Sequence, residues 1–191
     1  RGGSRQGHHR RALPMNVIGF TGFSGAGKTT LVEGLVRAMR AQGLRVSVIK
    51  HARNGFELDQ PGKDSYRHRE AGAFEVLVAS NRRLALQREF EVEVELSVHQ
   101  MLAELYDGVD WVLVEGFKHS DVLKLEVWRH ETGGAPAYPD DDFVVGIVTN
   151  SPDQLPAPTL RPVLELNDPV AVAQWLIDHQ DRFYYNRFDE A

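Results

Sequence analysis

The sequence contains no cysteine among its 191 residues, which excludes disulfide frameworks, thiolate zinc sites and cysteine nucleophiles. It also lacks an apolar run of the roughly 18 to 20 residues that a membrane-spanning helix needs. With 22 Lys and Arg against 27 Asp and Glu, it has no excess of positive charge to attract nucleic acid. We therefore expect a cytoplasmic protein that binds neither nucleic acid nor a membrane.

What the chain does contain is typical of a folded globular protein. Hydrophobic residues make up 42% of the sequence and charged residues 26%. This length suits one α/β domain with a full core, which we expect over residues 15–191. Residues 1–14, which include His8 and His9, are typical of a flexible leader or of a remnant left by expression, ahead of a start at Met15.

The first fifty residues predict a strand, a helix and a second strand. Residues 16–21 form a short apolar run that leads into glycines, and residues 45–50 resemble it. Between them, residues 29–42 carry apolar side chains at helical spacing, followed by Gly43 as a stop. A strand, helix and strand in succession imply a parallel sheet, so the predicted fold class is α/β, with a mostly parallel sheet flanked by helices.

The rest of the chain continues this alternation and adds a β-hairpin. The hairpin is predicted from strands at 74–79 and 84–90 around the turn residues Asn81, Arg82 and Arg83. An alternating pattern at 123–129 predicts a half-buried strand. Further predicted elements are helices at 64–73, 98–105 and from Asp168 to Ile177, and strands at 111–114, 143–149 and 163–166. The aromatic residues Phe183, Tyr184, Tyr185 and Phe188 pack either on the core or on a second subunit.

Residues 22–29 match the phosphate-loop pattern G-x-x-x-x-G-K-[ST] at every fixed position, between a predicted strand and a predicted helix. Glycines let backbone N–H groups converge on phosphate oxygens, and the helix N-terminus adds partial positive charge. Lys28 would reach the β and γ phosphates and Thr29 would offer its hydroxyl to Mg²⁺. We therefore predict a single P-loop NTPase domain that holds its nucleotide through Gly22, Ser24, Gly25, Ala26, Gly27, Lys28 and Thr29.

Two further candidates follow predicted strand ends. Glu115 ends a buried strand whose tip can face the same crevice, either as a second Mg²⁺ contact or as the base that orients an attacking water. Asn150 and Asp153 have the outline N-x-x-D, which places an aspartate against guanine in guanine-specific P-loop proteins. The same residues also suit an ordinary turn, and Ser151 stands where those proteins commonly have lysine.

Four motifs stand out along the chain. They are Gly-Phe-Ser-Gly-Ala-Gly-Lys-Thr-Thr-Leu at 22–31, Lys50-His51-Ala52, the run Pro-Gly-Lys-Asp-Ser-Tyr-Arg-His-Arg-Glu-Ala-Gly-Ala at 61–73, and Val-Glu-Gly-Phe-Lys at 114–118. Together they resemble the molybdopterin-guanine dinucleotide biosynthesis protein B (MobB) family, and the resemblance adds Thr30 to the residues at the phosphates and Mg²⁺. The resemblance implies a homodimeric GTP-binding protein with weak Mg²⁺-dependent GTPase activity. Such a protein assists the guanylyltransferase that joins GMP to molybdopterin, and molybdopterin itself becomes a candidate ligand.

The resemblance also assigns residues. It places His51, Lys63, Asp64 and Arg67 at the nucleotide crevice and Glu115 on the Mg²⁺ side, which makes Lys28, Glu115 and Asp64 the candidate catalytic residues. Two other functions stay open. One is a small-molecule kinase with Asp64 as the acceptor-side base and Arg67 and Arg69 on an anionic acceptor; the other is a scaffold that holds nucleotide without turnover. Only the kinase would place phosphate on a cosubstrate.

Overall fold

The computed structural model describes residues 15–186. The predicted leader at 1–14 and Phe188 of the aromatic tail lie outside the described residues. Contacts divide the chain into two compact units, the smaller of which comprises residues 52–96. The expectation of one domain over 15–191 stays a prediction. Within the described part of the chain, no helix has the length and apolar character required to cross a membrane.

The elements alternate largely as the sequence predicts. The helices are α1 (Lys28–Ala41), α2 (Asp64–Glu70), α3 (Val98–Ala103) and α4 (Pro169–Asp178). The strands are β1 (Met15–Thr21), β2 (Val46–Lys50), β3 (Glu75–Ala79), β4 (Leu84–Arg88), β5 (Trp111–Glu115), β6 (Lys124–Trp128), β7 (Val144–Thr149), β8 (Val163–Glu165) and β9 (Tyr184–Tyr185).

The larger unit is built on a seven-stranded sheet with the order β2-β5-β1-β6-β7-β8. All the pairs along this order are parallel, and β9 adds an antiparallel partner to β1. β6 pairs with β1 only from Gly19 onward, and β9 pairs with the opposite end of β1, at Met15 and Asn16. This mostly parallel sheet flanked by helices confirms the predicted fold class.

Both faces of the sheet are buried, because alternate side chains of β1 and β5 enter two different cores. Ile18, Phe20 and Leu113 pack with α1 and α4 on one face. Val17 and Val112 pack with α3 on the other. The aromatic tail contributes Phe183, which is 2% exposed, to the first core. This part of the tail therefore packs on the core of its own chain.

The prediction that 123–129 forms a half-buried strand is wrong. All five residues of β6 are buried, including Lys124 at 1% and Glu126 at 2% exposure. Buried charges require partners. Lys124 donates to the Ser120 carbonyl and lies 3.7 Å from the Asp141 carboxylate. The charged positions of the alternating pattern thus mark buried, paired side chains and not a solvent face.

The smaller unit contains α2 and the predicted hairpin of β3 and β4, which pair antiparallel with Leu77 opposite Leu86. Helix α2 ends before the predicted residue 73, since Gly72 adopts a φ of 101°. The Arg69 guanidinium lies 3.1 Å from Glu57 and 3.2 Å from Glu89. It therefore ties α2 to the segments on either side of it.

Gly34 marks a close contact between α1 and α4. A Cβ there would lie 2.7 Å from Cβ and Cγ of Pro169. Glycine to alanine in a helix normally stabilises by about 0.5–1 kcal/mol. Because the proline ring cannot turn aside, we predict that Gly34→Ala instead lowers the free energy of unfolding by about 1–3 kcal/mol.

Denaturant unfolding of the single and double variants tests this prediction. Pro169→Gly removes both clashing atoms, so Gly34→Ala should cost less in that background. An equal cost in both backgrounds would contradict the contact as the cause.

Candidate functional site

The phosphate loop leads from β1 into α1 through three glycines with positive φ. The φ angles are 142° at Gly22, 81° at Gly25 and 100° at Gly27. A Cβ on Gly22 would lie 2.4 Å from the Val127 carbonyl oxygen, so the loop passes directly against β6. Only glycine meets both demands at this position.

The start of α1 differs from the starts of α3 and α4. Ser97 forms a capping box with Gln100 at α3, and Asp168 accepts from the Ala171 N–H at α4. Helix α1 begins after Gly27 with no side-chain cap and no acidic residue in its first turn. Its first N–H groups and its positive dipole end therefore face no negative side chain of their own helix, which suits an anion.

Lys28 folds back over the loop that precedes it. Its Nζ donates to the carbonyl oxygens of Gly22, at 2.6 Å, and of Phe23, at 3.0 Å. Burial lowers the pKa of Lys28, while the Glu115 carboxylate opposes that shift and the Lys50 ammonium adds to it. The Lys28 ammonium thus lies on the loop within the field of two other charges.

Glu115 lies beside Thr29, as expected if parallel strands end at one edge of the sheet. It ends β5, where it is the register partner of both Phe20 in β1 and Lys50 in β2. The Thr29 hydroxyl donates to Glu115 Oε1 over 2.6 Å. The Lys50 ammonium lies 3.8 Å from the same oxygen. One carboxylate oxygen therefore faces both a hydroxyl and an ammonium.

The chemistry of this pair fits Mg²⁺, which prefers oxygen ligands. Thr29 supplies a hydroxyl and Glu115 a largely buried carboxylate. Over residues 15–186, no group of three or more His, Cys, Asp or Glu forms a metal cage. Two protein oxygens are sufficient where a nucleotide's phosphates and water complete the shell, as is usual for Mg²⁺. Binding of the ion here stays a prediction.

His51 packs on the turn that follows β5. The backbone N–H of His51 donates to the backbone carbonyl of Glu115 over 3.0 Å. The His51 ring stacks on the Phe117 ring, with centroids 4.6 Å apart. Within residues 15–186, Phe117 is the one non-glycine residue with a positive φ, at 55°. Such backbone strain is concentrated at functional sites. His51 thus lies at the predicted edge of the sheet, while its contact with nucleotide stays a prediction.

The N-x-x-D residues form a turn after β7. The Asn150 side-chain oxygen accepts from the Ser151 hydroxyl over 2.8 Å, and the Ser151 N–H donates to the Thr149 hydroxyl over 3.0 Å. Asp153 lies exposed in the short 3-10 helix Pro152–Gln154. Its carboxylate is open to a ligand, and its role with guanine stays a prediction.

Three of the predicted residues belong to the smaller unit. Lys63 directly precedes α2, Asp64 is the first residue of that helix, and Arg67 lies one turn further along. All three are exposed. Their predicted part in nucleotide binding or catalysis stays a prediction.

Sequence reasoning assigned no role to Lys50 or Glu126. The Glu126 carboxylate accepts from the N–H groups of Ala137, at 2.7 Å, and Tyr138, at 2.8 Å. Burial raises the pKa of Glu126, and these two N–H groups oppose the shift. The loop held this way touches the phosphate loop, since a Cβ on Gly134 would lie 2.6 Å from the Phe23 ring. For Glu126, the only signal in the sequence was a charged residue between the apolar residues of strand 123–129.

Comparison with known proteins gives a consistent result. The family model described as molybdopterin guanine dinucleotide synthesis protein B matches residues 17–150. The molybdopterin-guanine dinucleotide biosynthesis adapter protein of Escherichia coli (strain K12) is 37% identical over 165 residues, covering 85% of this chain and 91% of that protein. The adapter protein of the same name from Haemophilus influenzae is 36% identical over 170 residues, covering 88% and 91%.

A solved structure agrees with these sequence relatives. The X-ray structure of the MobB protein homologue from Bacillus stearothermophilus superposes with a TM-score of 0.66 at 27% identity. The match covers 87% of this chain and 99% of that one. On the family model and the two adapter proteins, the chain belongs to the molybdopterin guanine dinucleotide synthesis protein B (MobB) family.

Proposed function

We propose that this protein is an adapter in molybdopterin-guanine dinucleotide biosynthesis that binds GTP and Mg²⁺ at residues 22–29. The adapter role is supported by the two relatives that carry this name over most of both chains. The single observation that best supports nucleotide binding is the start of α1. This helix end has no side-chain cap, and its first residue is Lys28, whose ammonium lies on the phosphate loop. A triphosphate supplies the negative charge that this helix end favours.

Phosphate binding would exchange the present contacts of Lys28 for stronger ones. The ammonium now donates to two neutral carbonyls of its own loop. Hydrogen bonds to ionised phosphate oxygens are roughly twice as strong as those between neutral groups. Lys28 would therefore turn toward the β and γ phosphates, with the backbone N–H groups of Gly25 to Thr30 around them.

Mg²⁺, when bound, would neutralise charge on the phosphates. Thr29 would then offer its hydroxyl oxygen to the ion, and Glu115 would hold the ion directly or through water. The hydrogen bond between these two side chains already sets their oxygens 2.6 Å apart. A carboxylate that holds the ion is a weak base toward water, so we expect GTP hydrolysis to be slow.

Two other functions predict different products. A kinase would use Arg67 and Arg69 for an anionic acceptor, but Arg69 already contacts Glu57 and Glu89, which leaves only the exposed Arg67 for that task. One arginine holds an anionic acceptor less firmly than two, so we favour hydrolysis to free phosphate over transfer to a cosubstrate. A pure scaffold would release no phosphate at all. The adapter proposal therefore requires slow phosphate release from GTP with no phosphorylated cosubstrate.

The proposed partners are a second copy of the chain and the guanylyltransferase of the pathway, with molybdopterin as a further ligand. The hairpin supports the second copy. Leu77, Ala79, Leu84 and Leu86 share one face of β3 and β4, and Leu77 is 61% and Leu84 67% exposed. A two-stranded hairpin is marginally stable alone and its edges are open to pairing. A second hairpin would cover this face.

Molybdopterin is an anion, which bears on where it would bind. The cleft of the smaller unit, about 430 Å³ in volume, is lined by Glu57, Glu70, Glu89, Glu91 and one arginine, Arg69. Its charge is therefore net negative. This net negative charge would repel molybdopterin, so we do not expect molybdopterin to bind in this cleft.

The first prediction for the site concerns Lys28. Lys28→Ala should raise the Kd for GTP by about 100-fold or more, because it removes a charge-assisted contact to two phosphates. Isothermal calorimetry measures the affinity, and thermal unfolding shows that the fold is kept. Arg37→Ala is the matched control, because this cation lies on the exposed side of the same helix, 3.7 Å from Glu33. Unchanged GTP affinity in Lys28→Ala would exclude the phosphate-loop proposal.

The second prediction concerns base selectivity. Asp153→Asn should weaken GTP binding by about tenfold or more, since the carboxylate would accept from two guanine N–H groups, whereas the amide keeps one acceptor oxygen and sets an NH2 donor against the other N–H. ATP affinity, measured by the same titration, serves as the internal control and should change little. An equal loss for both nucleotides would exclude Asp153 as the residue that reads the base.

The third prediction concerns the dimer. Leu77→Asp should shift the molar mass in solution from that of two chains to that of one, because it places a charge on the apolar hairpin face. Light scattering coupled to size exclusion measures this. Leu160→Asp is the control, since Leu160 is fully exposed in the larger unit. A dimer that survives Leu77→Asp, or one that Leu160→Asp also dissociates, would contradict the hairpin interface.

A further inference from the structure

Lys50 is a second cation at the phosphate loop, and the function proposed above gives it no task. It ends β2, and the parallel register with β5 sets it beside Glu115. Its Nζ lies 3.8 Å from Glu115 Oε1, and its side chain is 62% exposed. At this distance the contact is an ion pair without a hydrogen bond. Because the Lys50 ammonium is exposed to water and makes no hydrogen bond to Glu115, this contact contributes little stability and exchanges readily.

The charges around Thr29 are not balanced. Lys28 and Lys50 bring two ammonium groups, and Glu115 brings one carboxylate. The N-terminus of α1 adds roughly half a positive charge. The site is therefore net positive and is suited to a ligand that carries several negative charges.

We infer that Lys50 binds the terminal phosphate of the nucleotide and so makes the site select triphosphate over diphosphate. This inference rests on the proposed GTP binding at residues 22–29. The Lys50 ammonium approaches Glu115 at the same oxygen that accepts the Thr29 hydroxyl. If this oxygen held a metal ion, the Lys50 ammonium would lose its present partner through charge repulsion. It would then bind the nearest remaining anion, which is the phosphate.

The position of Lys50 explains why the terminal phosphate is the one it contacts. Thr29 and Glu115 would hold Mg²⁺ beside the β and γ phosphates, and Lys28 would contact both of these phosphates. Lys50 approaches from the far side of Glu115, on the strand beyond β5, opposite the loop that holds the β phosphate. A diphosphate would keep its contacts with Lys28 and the loop and would have no group within reach of Lys50.

Titration of GTP and GDP against Lys50→Met tests the inference. The Kd for GTP should rise about tenfold or more, as expected for loss of one hydrogen bond between ions, and the Kd for GDP should stay within about twofold. Lys50→Arg should restore most of the GTP affinity. Arg37→Met removes the same charge from the exposed face of α1 and should change neither affinity. Thermal unfolding checks that each variant is folded.

The outcomes separate this inference from the function on which it rests. Equal losses of GTP and GDP affinity in Lys50→Met would show a general charge effect and overturn the inference alone. Full GTP affinity in Lys50→Met, together with lost binding in Lys28→Ala, would also overturn it alone. If the wild-type chain bound neither nucleotide, both the proposed function and the inference would be overturned.

Discussion

The parallel register between β1 and β5 is the constraint on which the site depends. It sets Phe20 opposite Glu115, so that the chain leaving β1 enters the phosphate loop beside the Glu115 carboxylate. Side chains alternate between the faces of a sheet, and a slip of one residue would therefore turn Glu115 to the opposite face. The hydrogen bond from Thr29 exists only in this register.

Strand β6 supports the phosphate loop from the other side. The Val127 carbonyl lies against Gly22, which leaves no room for a side chain there. The neighbouring Glu126 holds the backbone of Ala137 and Tyr138, and the loop they belong to reaches Phe23 through Gly134. Burying a carboxylate is costly, but two N–H donors offset much of that cost. The buried Glu126 carboxylate thus fixes the backbone that packs against the phosphate loop.

Local patterns predicted the first part of the fold well, because β1, α1 and β2 follow from apolar periodicity and one motif. The burial of β6 was missed for a physical reason. Alternation of charged and apolar residues looks the same whether the charges face water or face buried partners. The partners of Lys124 and Glu126 come from loops that the sequence does not place. Strand β9 was missed because its two residues carry no periodicity.

The site shows the same limit. Two local signals identify site residues. The phosphate-loop pattern identifies Lys28 and Thr29, and the position at the end of a buried strand identifies Glu115. Lys50 belongs to the Lys50-His51-Ala52 motif but received no role from it, since a lysine at a strand end is commonly a solvated side chain. Its meaning depends on strand order. The order β2-β5-β1 sets Glu115 between two strand ends, so one carboxylate oxygen is shared by Thr29 from the β1 side and Lys50 from the β2 side. A cation bound at that oxygen would compete with both groups, so the parallel strand order alone makes Glu115 an acceptor shared between the two sides of β5.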